Sequence, residues 1–261
     1  MLPAPTLVIS DLHLGVASRD VERQLLAFLA RVPDTAASLV INGDLFDFWF
    51  EWKSVIPRVG FRTLAALAAV REAGVPILWL AGNHDCWGGD VLREDVGADY
   101  RQEFRGALGG WNALVHHGDG LREREDRKYR RLRTVLRHPL SIRSFRLLHP
   151  DVGSRLATGS SAASRQHHHS PDEGAGLQRV AFERLAADPA LRLVIFGHSH
   201  TAMLARAPGG GVYANAGSWL DAPTYLRITP ERVELRRFDG SADGDRLDAL
   251  DARTEEALPQ A

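Results

Sequence analysis

The chain has a single cysteine, Cys86, in 261 residues. One thiol excludes an internal disulfide and any zinc site built on paired cysteines, and it fits a reducing compartment. Long apolar runs are missing too: nothing approaches the roughly 20 residues needed to span a bilayer. The opening MLPAPTLVISDLHLG has no basic segment before its short apolar run, so it does not read as a secretory signal. A cytoplasmic protein is expected, with attachment to a membrane surface left open. Charge of one sign is also absent. The 32 basic and 33 acidic residues leave a net charge of -1, so global charge gives no reason to expect nucleic acid. The length suits one large domain, or one domain carrying an insertion.

The first half alternates short apolar runs with helical patterns. Leu7–Ser10, Leu39–Ile41 and Val75–Leu80 read as buried strands. Between them, Val21–Val32 places Val21, Leu25, Leu26, Phe28 and Leu29 on one stripe, and Phe61–Ala73 ends at Gly74, a helix stop. This β-α-β-α-β order predicts an α/β fold with parallel strands. Ala113–His116 is a fourth strand. After Leu193–Phe196, the runs Met203–Arg206, Val212–Asn215, Tyr225–Ile228 and Val233–Phe238 predict an antiparallel second half, with a hairpin loop at Pro208–Gly211. The main domain is expected over 1–238. The acidic, Gly/Ala-rich residues 239–261 read as a flexible tail.

Five short motifs follow strand-like runs: Asp11-Leu12-His13, Gly43-Asp44, Gly82-Asn83-His84-Asp85, His117-Gly118-Asp119 and Gly197-His198-Ser199-His200. Ends of strands are where α/β sheets carry their functional loops. Residues two apart on a strand share a face, so Asp11 with His13, and His198 with His200, are each expected to reach a common point. Asp44 brings a carboxylate with two oxygens and Asn83 a neutral carbonyl oxygen. Mixed imidazole and carboxylate donors suit Mn, Fe or Zn better than Ca or Mg. Two such cations about 3.5–4 Å apart clamp a phosphate and activate water. Each motif alone also reads as a turn or a cap. Their order, each after a strand, is what points to a metal site.

That order, DxH, GD, GNHD, HGD, GHxH, resembles the signature of calcineurin-like metallophosphoesterases over about Leu7–Ser218. The resemblance implies a four-layer αββα sandwich with two divalent ions at the strand ends. It implies one ion on Asp11, His13, Asp44 and His200, and the other on Asp44, Asn83, His117 and His198. It implies that His84 polarises the phosphate or protonates the leaving group, that Asp85 orients His84, and that an ion-activated hydroxide attacks phosphorus.

The region from Leu121 to Gln178 reads as a helical insertion. Between Leu121 and Arg165 it carries twelve basic residues against four acidic ones, interleaved with Leu132, Val135, Leu136, Leu140 and Phe145. A basic amphipathic segment suits an anionic, partly apolar substrate or a membrane surface, and equally a solvated face with snorkelling arginines. The strings GDLFDFWFEWKSVIP, HGDGLREREDRKY and LLHPDVGSRLATGSSAASR are similar to the UDP-2,3-diacylglucosamine pyrophosphatase group of that family. The resemblance implies cleavage of that nucleotide-lipid to UMP and the lipid monophosphate, with manganese, at the cytoplasmic face of the inner membrane and under a helical cap. Asn83, His84, Asp126, Tyr129, Ser161, Ser164, Arg165 and His198 would contact substrate. The best-known members of the group have Arg at the position of His84; His84 is the broader family pattern. A phosphodiesterase or phosphatase acting on nucleotides, other phospholipid precursors or phosphoproteins is the alternative, and a non-catalytic scaffold the remote one. Phe46, Phe48, Trp49, Phe50 and Trp52 are read as either a lipid-pocket wall or core packing. The run His167–His169 reads as a polar loop.

Overall fold

The computed structural model describes residues 1–156, 172–241 and 243–252. Two sheets lie face to face. The first contains β1 (Thr6–Ile9), β2 (Ser38–Ile41), β3 (Ile77–Leu80) and β4 (Asp99–Arg101), all parallel. Beyond β1 it continues through β10 (Thr224–Ile228), β11 (Arg232–Arg237) and β12 (Asp245–Asp251), all antiparallel. The second sheet runs β5 (Glu103–Leu108), β6 (Trp111–His116), β7 (Leu193–Ile195), β9 (Val212–Asn215) and β8 (Met203–Arg206).

Strand alternation builds the layers. Side chains along a strand point to opposite faces in turn. In β1, β2 and β3, Ile9, Ile41 and Trp79 face outward onto α1 (Arg19–Leu29) and α3 (Phe61–Glu72), where Leu25, Phe28, Leu64 and Leu67 meet them. Their neighbours Val8, Val40 and Leu78 face inward and meet Ala113, Leu193 and Val212 of the second sheet. Leu114, Val194 and Tyr213 face out of the second sheet onto α7 (Asp172–Ala187), where Leu177, Val180 and Leu185 pack. The order helix, sheet, sheet, helix is the expected four-layer sandwich. Each fully buried Leu in these layers contributes about 1.5–3 kcal/mol.

Several boundaries differ from the sequence reading. Helix α1 stops at Leu29 rather than Val32, and a single turn, α2 (Val32–Thr35), follows. Pro33 has no amide hydrogen to bond back to the Leu29 carbonyl, so one continuous helix is excluded. The second half is not simply antiparallel: β6, β7 and β9 are parallel neighbours, because α7 crosses between β6 and β7 and β8 returns at the sheet edge. The acidic tail does not begin at residue 239. Residues Asp245–Asp251 form the edge strand β12, whose Arg246 reaches the buried Glu234 of β11. Its side chains are largely exposed, so it lacks the apolar signal of a strand.

The insertion contains α4 (Arg127–Leu136), α5 (Pro139–Arg146) and α6, a helix over residues 150–156. Its expected end at Gln178 falls inside α7, whose Leu177 is already part of the sandwich core. The aromatic run divides by position. Phe46 and Trp49 are fully buried in the main core, whereas Phe48, Phe50 and Trp52 form a separate cluster with Trp87, Ile142 and Phe145 that seats α5. No helix among the described residues is long and apolar enough to cross a membrane.

Candidate metal centre

The five motif loops converge at one end of the two sheets. His13 Nε2 lies 3.1 Å from His200 Nε2, and His200 Nε2 lies 3.5 Å from Asp11 Oδ1. Asp44 Oδ2 is 3.2 Å from His117 Nε2 and 3.9 Å from His13 Nε2, so one carboxylate oxygen stands between the two halves of the cluster. Asn83 Oδ1 is 3.2 Å from His117 Nε2. Among the described residues, three sets of donor atoms each fall within 4.8 Å of one another: Asp11–His13–His200, His13–Asp44–His84 and Asp44–His117–His198.

The route to this convergence is not the one strand alternation predicts. Strand β1 ends at Ile9, and Asp11 and His13 sit in the loop beyond it. Among the described residues, the non-glycine positions with left-handed backbone are Asp11, His13, Asp44, His198 and His200, with φ between 49° and 65°. Such conformations cost on the order of 1–3 kcal/mol each and persist where the surroundings hold them. Here the strain falls on the donors themselves. The loops also leave no room. A Cβ on Gly82 would overlap Asp44 Oδ1, and one on Gly197 would overlap Ser10 Oγ and Asp11 Oδ2.

The electrostatics fit a cation. Burial pushes the Asp11 carboxyl up to about 6, and the charge of Asp44 adds to the shift. Burial acts against Asp44 as well, but His117, His84 and His13 around it hold its carboxyl well below the usual range. His117 is driven the other way: burial disfavours its charge, yet Asp44 raises it well above the ordinary imidazole value. Its Nδ1 donates to the Asn42 carbonyl at 2.8 Å, which leaves Nε2 facing Asp44 and Asn83, where a bound cation would take the place of its proton. His13 Nδ1 is buried without a hydrogen bond. Two imidazole nitrogens 3.1 Å apart beside two carboxylates form a donor set of the kind that ligates a divalent ion.

The structure relocates some expected roles. Asp85 does not touch the His84 ring. Its carboxylate accepts from Leu45 N at 2.9 Å and Gly82 N at 2.8 Å, tying the Asp44 loop to the Asn83 loop. The His84 ring is held instead by Asp47, whose carbonyl lies 2.9 Å from Nδ1 and whose carboxylate lies 3.7 Å away. The same carboxylate is 3.5 Å from His13 Nδ1. Sequence reasoning passed over Asp47 because it stands among the aromatics of FDFWF. The only signal was a charge in a run that is otherwise apolar. Tyr129 donates to Asp119 at 2.7 Å, and Asp126 accepts from the backbone and side chain of Arg122, so both make bonds within the protein. Ser161, Ser164, Arg165 and His167–His169 lie outside the described residues. His116 is structural: burial lowers its pKa to about 4, and its Nδ1 accepts from Gly118 N.

Residues 4–202 match the calcineurin-like phosphoesterase family. The chain belongs to that family. It is a hydrolase, and membership implies divalent metal ions in the donor cluster. Curated relatives agree over most of the chain. A UDP-2,3-diacylglucosamine hydrolase of Porphyromonas gingivalis is 34% identical over 212 residues, covering 73% of this chain and 81% of the relative. One from Nitrosococcus oceani is 28% identical over 231 residues, covering 87% and 92%. Among solved structures, a dimetal phosphatase from Danio rerio shares 12% identity at a TM-score of 0.48, covering 94% of this chain and 97% of that one.

Proposed function

We propose that this phosphoesterase cleaves the pyrophosphate of UDP-2,3-diacylglucosamine with water, releasing UMP and 2,3-diacylglucosamine 1-phosphate. The observation that carries the chemistry is the donor set converging on Asp44 Oδ2 between His13 and His117. The substrate follows from the relatives that bear that name. Asp11, His13, Asp44 and His200 would hold one ion; Asp44, Asn83, His117 and His198 would hold the other. Manganese is the ion that the resemblance implies, and the mixed imidazole and carboxylate donors would accept iron or zinc as well. When bound, the ions supply Lewis acidity and an activated water.

The protein's own residues do the rest. His84, kept in one orientation by the Asp47 carbonyl, donates a proton or a hydrogen bond to the phosphate. Asn83 and His198 meet the same phosphate from the ion-binding side. The insertion receives the acyl chains. Its helices expose Leu132, Val135 and Leu140 beside arginines, and Leu147 follows at the end of α5, which also suits peripheral attachment to the cytoplasmic face of the inner membrane.

His84 supports a second reading. It stands where the best-known members of the pyrophosphatase group have Arg, and the broader family acts on simpler phosphodiesters. One assay separates the two. Turnover of UDP-2,3-diacylglucosamine with manganese, with products identified by mass, should give UMP and the lipid monophosphate. Failure there, together with hydrolysis of a generic nucleotide phosphodiester, refutes the lipid substrate and supports the second reading.

A further inference from the structure

Helix α4 does more than begin the insertion. Tyr129 and Arg133 on one face of it, and Arg137 at its C-terminal cap, all converge on Asp119, whose carboxylate is fully buried. The spacing of four residues puts all three on one side of the helix. Tyr129 Oη donates at 2.7 Å; Arg133 and Arg137 lie at 3.3 and 3.2 Å. Asp119 is two residues from His117. On the other side, Arg137 also donates to the Gly82 carbonyl at 3.1 Å, directly before Asn83. Trp87 Nε1 donates to the Leu136 carbonyl at 3.1 Å. The C-terminus of α4 therefore grips both loops that carry donors of one ion site.

We propose that Asp119 and Arg137 are positioning residues that lock the seating of the helical insertion to the placement of His117 and Asn83. An insertion seated on α4 holds these donors in register, and an unseated one releases them. The inference rests on the metal reading for its consequence, and on the contacts alone for its mechanism. Breaking the grip loosens the Asn83 loop whether or not an ion is present.

The test uses the full chain with Arg137→Ala, Arg137→Lys and, as a control, Arg131→Ala on the exposed face of α4. Two quantities are read well below the melting temperature: manganese affinity, and hydrogen exchange of the Gly82 and His84 amides, which bond to Asp85 and Asp44. Arg137→Ala should exchange faster at both amides and bind its weaker manganese about 10- to 100-fold less tightly, the range for groups that orient metal ligands. Arg137→Lys should restore most of the loss, and Arg131→Ala should match the wild type. Unchanged exchange overturns the inference. So does unchanged affinity in a wild type that binds two ions, even if the melting temperature falls. If the wild type takes up no manganese, the metal reading fails and exchange alone decides the inference. If Arg137→Ala does not fold, Tyr129→Phe removes only one hydrogen bond from Asp119 and is judged by the same two readouts, with a smaller effect.

Discussion

Replacing Asp47 with alanine is the sharpest test of the metal centre, because this residue was found through the structure. Its buried carboxylate lies 3.5 Å from His13 Nδ1 and 3.7 Å from His84 Nδ1. The two partners are not equally dependent on it. His84 keeps its 2.9 Å contact with the backbone carbonyl of residue 47, which the substitution leaves in place. Among the described residues, His13 Nδ1 has no hydrogen bond and faces only that carboxylate as a charge partner. The loss should therefore fall on the ion that His13 would hold. A carboxylate behind a ligating imidazole is worth about 10- to 100-fold in metal affinity. That corresponds to about 1.4–2.7 kcal/mol. Manganese titration by calorimetry, with activity followed in parallel, should show this weakening, and turnover should recover at saturating manganese. Asp47→Asn, which keeps the shape and loses the charge, should fall between. Wild-type affinity in Asp47→Ala would refute the role given to this contact. Lost turnover that saturating manganese does not restore would move Asp47 from supporting the metal to supporting the chemistry.

Asp44→Ala removes a donor shared by both halves of the cluster and should lower activity with manganese by at least about 1,000-fold; near-normal turnover would end the shared-ligand assignment. His84→Ala should lower turnover while both ions stay bound; loss of an ion would make His84 a ligand, as its grouping with His13 and Asp44 allows. In the core, Leu67→Ala deletes a fully buried side chain between α3 and the first sheet. It should cost about 2–5 kcal/mol in a urea melt. A loss well under that range would mean that the helix layer relaxes around the cavity.

The order of elements, the parallel β1–β2–β3 core and the identity of the converging donors were legible in the chain. Those features rest on local patterns: alternation in short apolar runs, glycine stops, and polar motifs placed just after strands. Residues with exposed faces carried no such signal, so the edge strand β12 was read as tail. The short strands β4 and β5 also escaped notice, because DYR has a single apolar residue and EFRGAL is interrupted by Gly106. The donor motifs offer residues that do converge, though not by the expected route. Asp11 and His13 meet His200 through left-handed loop backbone, not through strand alternation. Only tertiary structure could show which partner each charge takes. Asp85 pairs with the amides of Leu45 and Gly82, Asp47 stands behind His13 and His84, and Asp119 binds the face of α4. These choices depend on distances between segments far apart in the chain, and local sequence determines which groups are offered but not which of them meet.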